Sequence, residues 1–559
     1  MSTLDDTRRD STQLFPARRE LRLVAQTRSR LGDAVTAVHD LLGKDADRSP
    51  WRVEPLFADS PDEGTVIRGS GDYEIGSSDY VSAAIELSHV LDRSDVFRTV
   101  QADLPAIAFD RAMVDPNQRN GARRESDEAP ASLRWNHELI NLETAWQSGP
   151  RWRHHGAGVR IGLPDTGYTD HPAVGVALYD LSNDRDFIDD DDDSLDPLRR
   201  RRFPWQRFSS PGHGTASASI IASHGDPRIT GRRRRLKLSE IVGVAPAAEV
   251  LPLRATNSTV QFFASDLARA INHARLSHCH VVSIGMGTTG FFGLDIATRK
   301  AVEDGLIVLA AAGDNPDILS APACFDSCIG VAAVSPNLEP WAWSSAGDVV
   351  DIAAPGRGVL AATYDLEGEL AQPMVAPLSS TSFAACHVAG VAALWLARHS
   401  RRHLLKQYGR SGIQSAFVHI LRETASTPDG WDSRYGAGVV NAAAVVEHPL
   451  PSLEMVSPVR AHGAKSEEPT QRLAGLIPGT DPVTVRERLG DLLGAGGAQL
   501  DRLAAKHEAE LAYLVIENQQ LRQRLLPLTA ADFQRRDTGE PIEFGCPLSD
   551  PLRSRLYDV

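Results

Sequence analysis

The amino-acid sequence predicts an α/β protein whose core is a parallel β-sheet covered by helices on both faces. Between residues 135 and 447, apolar runs alternate with helical segments, and Gly and Pro turns separate them, which is typical of βαβ units. One helical segment, Phe383 to Ala397, is almost entirely small or apolar, so we expect it in the middle of the domain. The chain has 559 residues, of which 42% are hydrophobic and 24% charged. This composition is that of a globular protein large enough for one sizeable domain with additions at its ends.

Five near-continuous apolar runs are the strand candidates of this sheet. Each lacks the alternation of a half-exposed strand, as expected for parallel strands that are buried on both faces. The carboxyl ends of such strands form the sheet edge at which α/β proteins build their sites. The five runs are Val159 to Leu163, Val250 to Leu253, Val281 to Ile284, Ile307 to Ala311 and Ile329 to Val334.

The region before this domain divides into three parts. Residues 1–50 are polar and charged with some helical periodicity, residues 51–116 predict a small α+β unit, and residues 117–134 form a polar linker. The elements predicted here are a helix at Leu21 to Leu42, a strand at Val53 to Phe57, a helix at Ser78 to Leu91 and a strand at Val96 to Ala102.

Beyond the domain, the sequence predicts a linker over residues 448–482 and a helical C-terminal extension over residues 483–559. A seven-residue register from Leu500 to Leu525 places apolar side chains at two core positions, with His507 and Asn518 as polar exceptions. The register spans fewer than four heptads. Both a helix packed on the main domain and a short coiled coil that mediates protein–protein contact therefore remain open.

Charge and composition exclude several classes of protein. The chain has 59 Lys and Arg against 73 Asp and Glu, a net charge of −14, which argues against a nucleic-acid-binding protein. The longest apolar runs fall short of the ~18 to 20 residues that a membrane span needs, and no apolar signal segment follows the N-terminus. Five cysteines are too few for a disulfide framework. We expect a cytoplasmic protein that contacts no membrane and keeps its thiols reduced.

Three short stretches carry residues suited to nucleophilic chemistry. A predicted strand delivers Asp165 to its carboxyl end, His213 lies between two glycines at the start of a helix, and Ser382 begins the apolar helix. Singly, these residues have structural alternatives: a turn, a packed histidine, and N-capping by Ser379 or Ser380. Together they supply a nucleophile, a base that takes its proton and a carboxylate that orients the base. The sequence therefore predicts that the three side chains meet as a catalytic set.

The order Asp, His, Ser on an α/β pattern resembles that of the subtilisin-like serine proteases, the subtilase family. The resemblance covers about residues 135–447. It implies a subtilisin-like fold and a serine endopeptidase that hydrolyses protein or peptide substrates through an acyl-enzyme, with no required cofactor. It also implies that Gly285, Met286 and Gly287 line the substrate cleft. Other matching stretches are Gly243 to Pro246, Val281 to Gly287, Ile352 to Gly356 and Tyr435 to Asn441.

The chain departs from the family pattern around the predicted oxyanion hole. Where the family has Asn after Ala-Ala-Gly, this chain has Asp314 and then Asn315. An ionised carboxylate repels an oxyanion, whereas a protonated carboxyl group donates a hydrogen bond to it. Either a protonated Asp314 or a shifted Asn315 is therefore expected as the donor. Ser380 and Cys386 also replace a Gly and a Pro of the family. These departures leave open an alternative function, a catalytically weak or inactive subtilase-fold binding or scaffold protein.

Accessory features near the motifs have structural and functional interpretations. The acidic loop Asp184 to Asp196 has ligands suited to calcium but no regular ligand spacing, so a solvated loop is favoured. Basic runs at Arg199 to Arg202 and Arg232 to Arg235 are expected either to neutralise this loop or simply to be exposed, and not to bind nucleic acid. Residues 51–116 stand where a subtilase propeptide would be, to be cut near Arg123-Arg124, although a permanently retained domain remains open. No zinc motif accompanies Cys324 and Cys328, which are expected to be loop thiols.

Overall fold

The structure is a computed structural model that divides the chain into two compact units. The first comprises residues 1–104 and 546–549, and the second comprises residues 105–545 and 550–559. The residues that the structure describes are 20–43, 51–70, 78–104, 132–148, 155–198, 210–224, 241–258, 263–288, 292–366, 370–456, 469–527 and 549–556. The basic runs at 199–202 and 232–235 and the Arg123-Arg124 site lie outside them.

The first unit is a four-stranded antiparallel sheet with two helices. Its elements are β1 (Glu20–Thr27), α1 (Leu31–Leu42), β2 (Trp51–Pro55), β3 (Thr65–Ser70), α2 (Ser78–Leu91) and β4 (Phe97–Ala102), with the sheet order β2-β3-β1-β4. The helix predicted from Leu21 to Leu42 is wrong in its first part, which is the strand β1. The predicted boundary at residue 50 is also wrong, because β1 pairs with both β3 and β4. Cross-strand pairs such as Leu23 with Ile67 bury the apolar residues that the sequence distributed with helix-like spacing.

The second unit contains a seven-stranded parallel sheet and a separate two-stranded hairpin. The sheet strands are β5 (Arg160–Asp165), β6 (Arg185–Asp186), β7 (Glu249–Arg254), β8 (Val281–Ile284), β9 (Ile307–Ala311), β10 (Ile329–Val334) and β11 (Ile352–Pro355), in the order β11-β10-β9-β8-β5-β7-β6. The hairpin pairs β12 (Val359–Asp365) with β13 (Gln372–Leu378). The fold class predicted from the sequence is confirmed, and all five strand candidates lie in this sheet.

The helices of the second unit flank the sheet and form the region beyond it. They are α3 (Trp135–Leu139), α4 (Leu142–Gln147), α5 (His213–Ala222), α6 (Ala264–Leu276), α7 (Phe292–Glu303), α8 (Thr381–His399), α9 (Arg401–Tyr408), α10 (Gly412–Thr424), α11 (Ala442–Glu447), α12 (Pro469–Gly475), α13 (Pro482–Leu493), α14 (Gly497–Lys506), α15 (Glu508–Glu517), α16 (Gln519–Leu525) and α17 (Asp550–Leu556).

Helix α8 is the central core helix that the sequence predicted. It packs on β8 to β11 and on α5, and its residues from Thr381 to Ala397 are all buried. Within the described part of the chain it is the one helix long and apolar enough to cross a membrane, and 94% of that stretch is buried inside the protein. Its apolar composition is therefore accounted for by the core.

The strand order reverses at β5, which positions the site. The chain runs from β5 to β7 on one side of it and then to β8 on the other side. At such a switch point, the connections leave the sheet in opposite directions and open a crevice at the carboxyl ends of the strands. Asp165 ends β5, and Gly285 follows β8, so both lie at this crevice.

The C-terminal region is helical, as predicted, but it does not form a coiled coil. The heptad register is divided among α14, α15 and α16, and the breaks fall at its two polar core positions, His507 and Asn518. The Asn518 side chain accepts a hydrogen bond from the Leu521 backbone N–H at 2.9 Å, so it caps a new helix instead of continuing the old one. Helix α12 also lies within the predicted linker, and the Leu476 carbonyl next to it accepts a hydrogen bond from Leu319 N–H.

Candidate active site

Asp165 is a buried carboxylate at the carboxyl end of β5. It is 1% exposed, and the Thr166 backbone N–H donates to its Oδ1 at 2.7 Å. The Ser217 hydroxyl donates to its Oδ2 at 3.0 Å. Hydrogen bonds from neighbouring donors hold the carboxylate in one orientation and support its negative charge away from water.

His213 begins α5 and meets Asp165. Its Nδ1 lies 2.8 Å from Asp165 Oδ1 and 3.0 Å from Oδ2. The close approach depends on Gly214, where a Cβ atom would lie only 2.1 Å from the Gly167 carbonyl oxygen. Burial opposes protonation of His213, but Asp165, and after it Asp314, outweighs this effect and raises the pKa of the imidazole. Its Nε2 is buried and has no hydrogen-bond partner among the described residues, so it remains available to accept a proton.

Ser382 lies beside His213 at the start of α8. The rings of His213 and of Phe383, the residue after Ser382, stack with their centroids 5.6 Å apart. A Cβ atom at Gly285 would lie 3.2 Å from Ser382 Oγ and 3.4 Å from His213 Cε1, so both side chains border the same point. The Ser382 hydroxyl donates to the Gly285 carbonyl at 2.8 Å. The structure thus brings the three residues to one crevice, with the serine hydroxyl directed towards Gly285.

Of the two oxyanion candidates, Asp314 faces the start of α8. Its Oδ1 accepts hydrogen bonds from the N–H of Thr381 at 2.8 Å and from the hydroxyl of Thr381 at 2.6 Å. Burial raises the pKa of Asp314, although hydrogen bonds from Thr381 and Ser380 oppose the shift. Asn315 instead uses its side-chain oxygen to accept from the Asp317 N–H, 3.0 Å away, within its own loop. The geometry therefore favours Asp314 over Asn315.

The predicted substrate residues follow β8 along the crevice. Gly285 and Gly287 are partly exposed, whereas the side chain of Met286 is completely buried. This segment can therefore offer a substrate the backbone groups of its glycines, while the Met286 side chain belongs to the core.

Sequence reasoning missed one hydroxyl group of the site and the contacts of another. Ser217 was not singled out, although it lies four residues after His213 and hence on the same helix face. That spacing is the signal that would have found it. The contacts of Ser380 were also missed: its Oγ accepts from the Ser382 N–H at 3.0 Å and donates to Ser382 Oγ at 3.0 Å. Ser380 is the N-cap of α8, the structural role that the sequence left open for it.

The acidic loop already binds protein donors. Asp184 accepts from the N–H and hydroxyl of Ser194, each at 2.8 Å, and Arg254 forms ion pairs with Asp186 and Asp189. Within the described residues, the carboxylates of this loop form no group of three that could hold a metal ion. Arg254 and Arg185 thus neutralise part of the charge of this loop, and the basic runs that were predicted to do so lie outside the described residues.

The buried cysteines form no disulfides in the described part of the chain. Cys324, Cys328 and Cys386 are all buried, and no disulfide joins them. Burial raises the pKa of Cys386 to about 12, so this thiol stays protonated at neutral pH and behaves as a small packed group.

Comparisons with known proteins show which proteins this chain is similar to. The model of the subtilase family matches residues 156–438. Thermitase from Thermoactinomyces vulgaris is 29% identical over 321 residues, which cover 57% of this chain and 97% of thermitase. Subtilisin Savinase from Lederbergia lenta is 28% identical over 291 residues, which cover 52% of this chain and 91% of Savinase. Among solved structures, a protease of Pseudoalteromonas arctica is 25% identical with a TM-score of 0.46, over 56% of this chain and 96% of that one.

Proposed function

The chain belongs to the subtilase family of serine proteases, and on this premise we propose that it hydrolyses peptide bonds through Asp165, His213 and Ser382. The single observation that carries the assignment is the contact of His213 Nδ1 with Asp165, which leaves Nε2 without a partner among the described residues, beside Ser382. An imidazole held in this way has one nitrogen bound by a carboxylate and the other ready to accept the serine proton.

The reaction begins when the Ser382 hydroxyl turns from the Gly285 carbonyl to His213 Nε2. Ser382 Oγ then attacks the carbonyl carbon of the scissile peptide, and His213 takes the hydroxyl proton. His213 donates this proton to the leaving amine, which breaks the C–N bond and leaves an acyl-enzyme. A water molecule attacks the ester with His213 again as the base, and Ser382 recovers its proton. Asp165 stays ionised throughout and stabilises the imidazolium.

Asp314 and the Ser382 backbone N–H are the proposed oxyanion donors. Oδ1 of Asp314 accepts two hydrogen bonds from Thr381, so the other carboxyl oxygen is the one that would face the oxyanion. A carboxyl oxygen can donate a hydrogen bond only when it is protonated. The raised pKa of Asp314 supports this state. Removal of one side-chain donor from an oxyanion hole lowers kcat by about 10²- to 10³-fold, so a protonated carboxyl group in place of an amide is mechanistically important.

The proposed substrate is an extended peptide that pairs with the backbone of Gly285 and Gly287. Main-chain pairing supplies affinity with little dependence on sequence. The buried Met286 side chain supports this arrangement, because it leaves the backbone as the group that faces the crevice.

The test uses an active-site-directed fluorophosphonate probe. We expect the full-length protein to be labelled, the Ser382→Ala variant to lose labelling, and the Ser379→Ala control to keep it, because the Ser379 hydroxyl is bonded to Gly358 N–H, 2.9 Å away. Cleavage of a peptide library should follow the same pattern. A folded protein that the probe fails to label from acidic to mildly alkaline pH would contradict the proposal and favour a binding or scaffold protein.

A further inference from the structure

The hydroxyl of Ser380 lies where the oxyanion of a bound substrate would have to lie. It accepts a hydrogen bond from the backbone N–H of Ser382 at 3.0 Å, and that N–H is the proposed oxyanion donor. It is also 3.0 Å from the nucleophilic Ser382 Oγ. The oxyanion of a tetrahedral intermediate is bonded to the carbon that Ser382 attacks and must reach the same N–H. Ser380 Oγ and the oxyanion therefore compete for one position.

The same hydroxyl also acts on the nucleophile itself. The Ser380 hydroxyl donates a hydrogen bond to Ser382 Oγ, and the Ser382 hydroxyl in turn donates one to the Gly285 carbonyl. The nucleophile is thus hydrogen-bonded on both sides by groups other than His213, whose Nε2 has no partner among the described residues. A hydrogen bond donated to an oxygen withdraws electron density from it and weakens it as a nucleophile. The observed arrangement is consequently a resting one.

An alternative acceptor for the Ser380 hydroxyl lies next to it. The Asp314 carboxyl group, which borders the same helix start, is also within reach of the Ser380 hydroxyl, whose single proton can be directed to Ser382 Oγ or to Asp314. Ser380 is 6% exposed and Ser382 is 3% exposed, so the protein and not bulk water provides these partners. Rotation of one side chain towards Asp314 frees both the N–H and the Oγ of Ser382.

We propose that Ser380 is a positioning residue that holds Ser382 in a resting arrangement and leaves the oxyanion position when a substrate carbonyl enters it. This inference rests on the proposed function. It assigns a catalytic consequence to a residue that the helix itself uses as its N-cap. The hydroxyl of Ser380 opposes the onset of acylation, because its two hydrogen bonds to Ser382 must break before the nucleophile can engage His213.

The test compares variants at residue 380 in the full-length protein. Ser380→Ala and Ser380→Gly both remove the hydroxyl, and glycine is well tolerated at an N-cap, so at least one variant should fold normally. Ser380→Thr keeps the hydroxyl. Ser379→Ala is the matched control, because it removes the adjacent hydroxyl, which is bonded to Gly358. The measurements are the rate of fluorophosphonate labelling, kcat and KM for a peptide substrate, and the melting temperature.

We expect Ser380→Ala and Ser380→Gly to increase the labelling rate and kcat about three- to tenfold, the range that one net hydrogen bond corresponds to. KM should stay unchanged, and Ser380→Thr should resemble the native protein. A residue that only caps the helix would lower the melting temperature without increasing kcat. If the native protein is labelled, and Ser380→Ala and Ser380→Gly are labelled no faster than it, this inference is overturned but the proposed function is not. Failure of the folded native protein and of every folded variant to label would overturn the proposed function together with it.

Discussion

Asp314 binds the first residue of the helix that carries the nucleophile, accepting two hydrogen bonds from Thr381 through one carboxyl oxygen. A carboxylate at a helix N-terminus is favoured by the helix dipole, yet burial raises the pKa of Asp314. The carboxyl group of Asp314 therefore gains or loses its proton close to Ser382. We expect this titration to affect how the activity depends on pH.

The alkaline limb of activity should depend on Asp314. A carboxyl group with a raised pKa is protonated below that pKa and loses its proton as the pH rises through it, so donation to the oxyanion is lost on the alkaline side. We expect kcat/KM of the native protein to fall there, and Asp314→Asn to remove the fall because an amide donates at every pH. Asp317→Asn, in the same loop, is the control. An alkaline limb that persists unchanged in Asp314→Asn would contradict the prediction.

The acid limb of the pH–activity profile should be the same in Asp314→Asn as in the native protein. His213 must be neutral to act as a base, so activity rises as the pH increases through its pKa, which Asp165 raises most and which Asp314 raises further only if it is ionised. Asp314 exerts this effect only while it is ionised, and a protonated Asp314 carries no charge on the acid side. We therefore expect the fluorophosphonate labelling rates of Asp314→Asn and the native protein to share one acid limb. A limb displaced to lower pH in the variant would show that Asp314 is ionised there and cannot be the donor.

Ser217→Ala tests the support of Asp165. The hydroxyl of Ser217 donates to Asp165 Oδ2 at 3.0 Å, and a hydrogen bond to a charged group contributes about 1.5–3 kcal/mol. We expect kcat to fall about tenfold or more with KM unchanged. Ser219→Ala is the matched control on the same helix, because the hydroxyl of Ser219 binds Ala216 and Ala362 and not the site. Equal losses of kcat in the two variants would show that Ser217 acts through stability alone.

Arg254→Met tests the buried ion pair below the acidic loop. Arg254 and Asp186 are each 2% exposed, and removal of the arginine leaves the carboxylate buried without its main partner. We expect the free energy of unfolding to fall by about 3–5 kcal/mol. Arg185→Met removes a partner of the exposed Asp192 in the same loop and should cost at most about 1 kcal/mol. Urea denaturation compares the two variants, and similar losses in both would argue against the prediction.

The acidic loop also predicts the response to calcium. Because Ser194 and Arg254 already bind the carboxylates of Asp184, Asp186 and Asp189, these groups have little capacity left for a cation. We expect EGTA to leave the melting temperature and the activity unchanged, with added magnesium as the control for ionic strength. A melting temperature that rises by several degrees with calcium and falls again with EGTA would show that the loop binds calcium.

The sequence by itself determined the parallel sheet and the three motif residues of the crevice. A buried parallel strand shows a continuous apolar run, so Val281 to Ile284 could be identified locally, and a strand end or helix start places Asp165, His213 or Ser382 from its immediate neighbours. Where apolar spacing was compatible with two structures, as in β1, the sequence favoured the wrong one. The heptad pattern from Leu500 to Leu525 likewise identified buried residues correctly, but these residues lie in three helices instead of one. The helices are separated at the polar residues His507 and Asn518.

Only the tertiary structure decided the partners of the polar groups at the site. From the sequence alone, each of three polar groups could have capped a helix, bonded to a neighbouring residue or faced solvent. These groups are the hydroxyls of Ser217 and Ser380 and the carboxyl group of Asp314. Their partners depend on the positions of atoms from distant parts of the chain, to within the length of a hydrogen bond. Periodicity determines which face of an element is buried, but packing determines which donor meets which acceptor on that face.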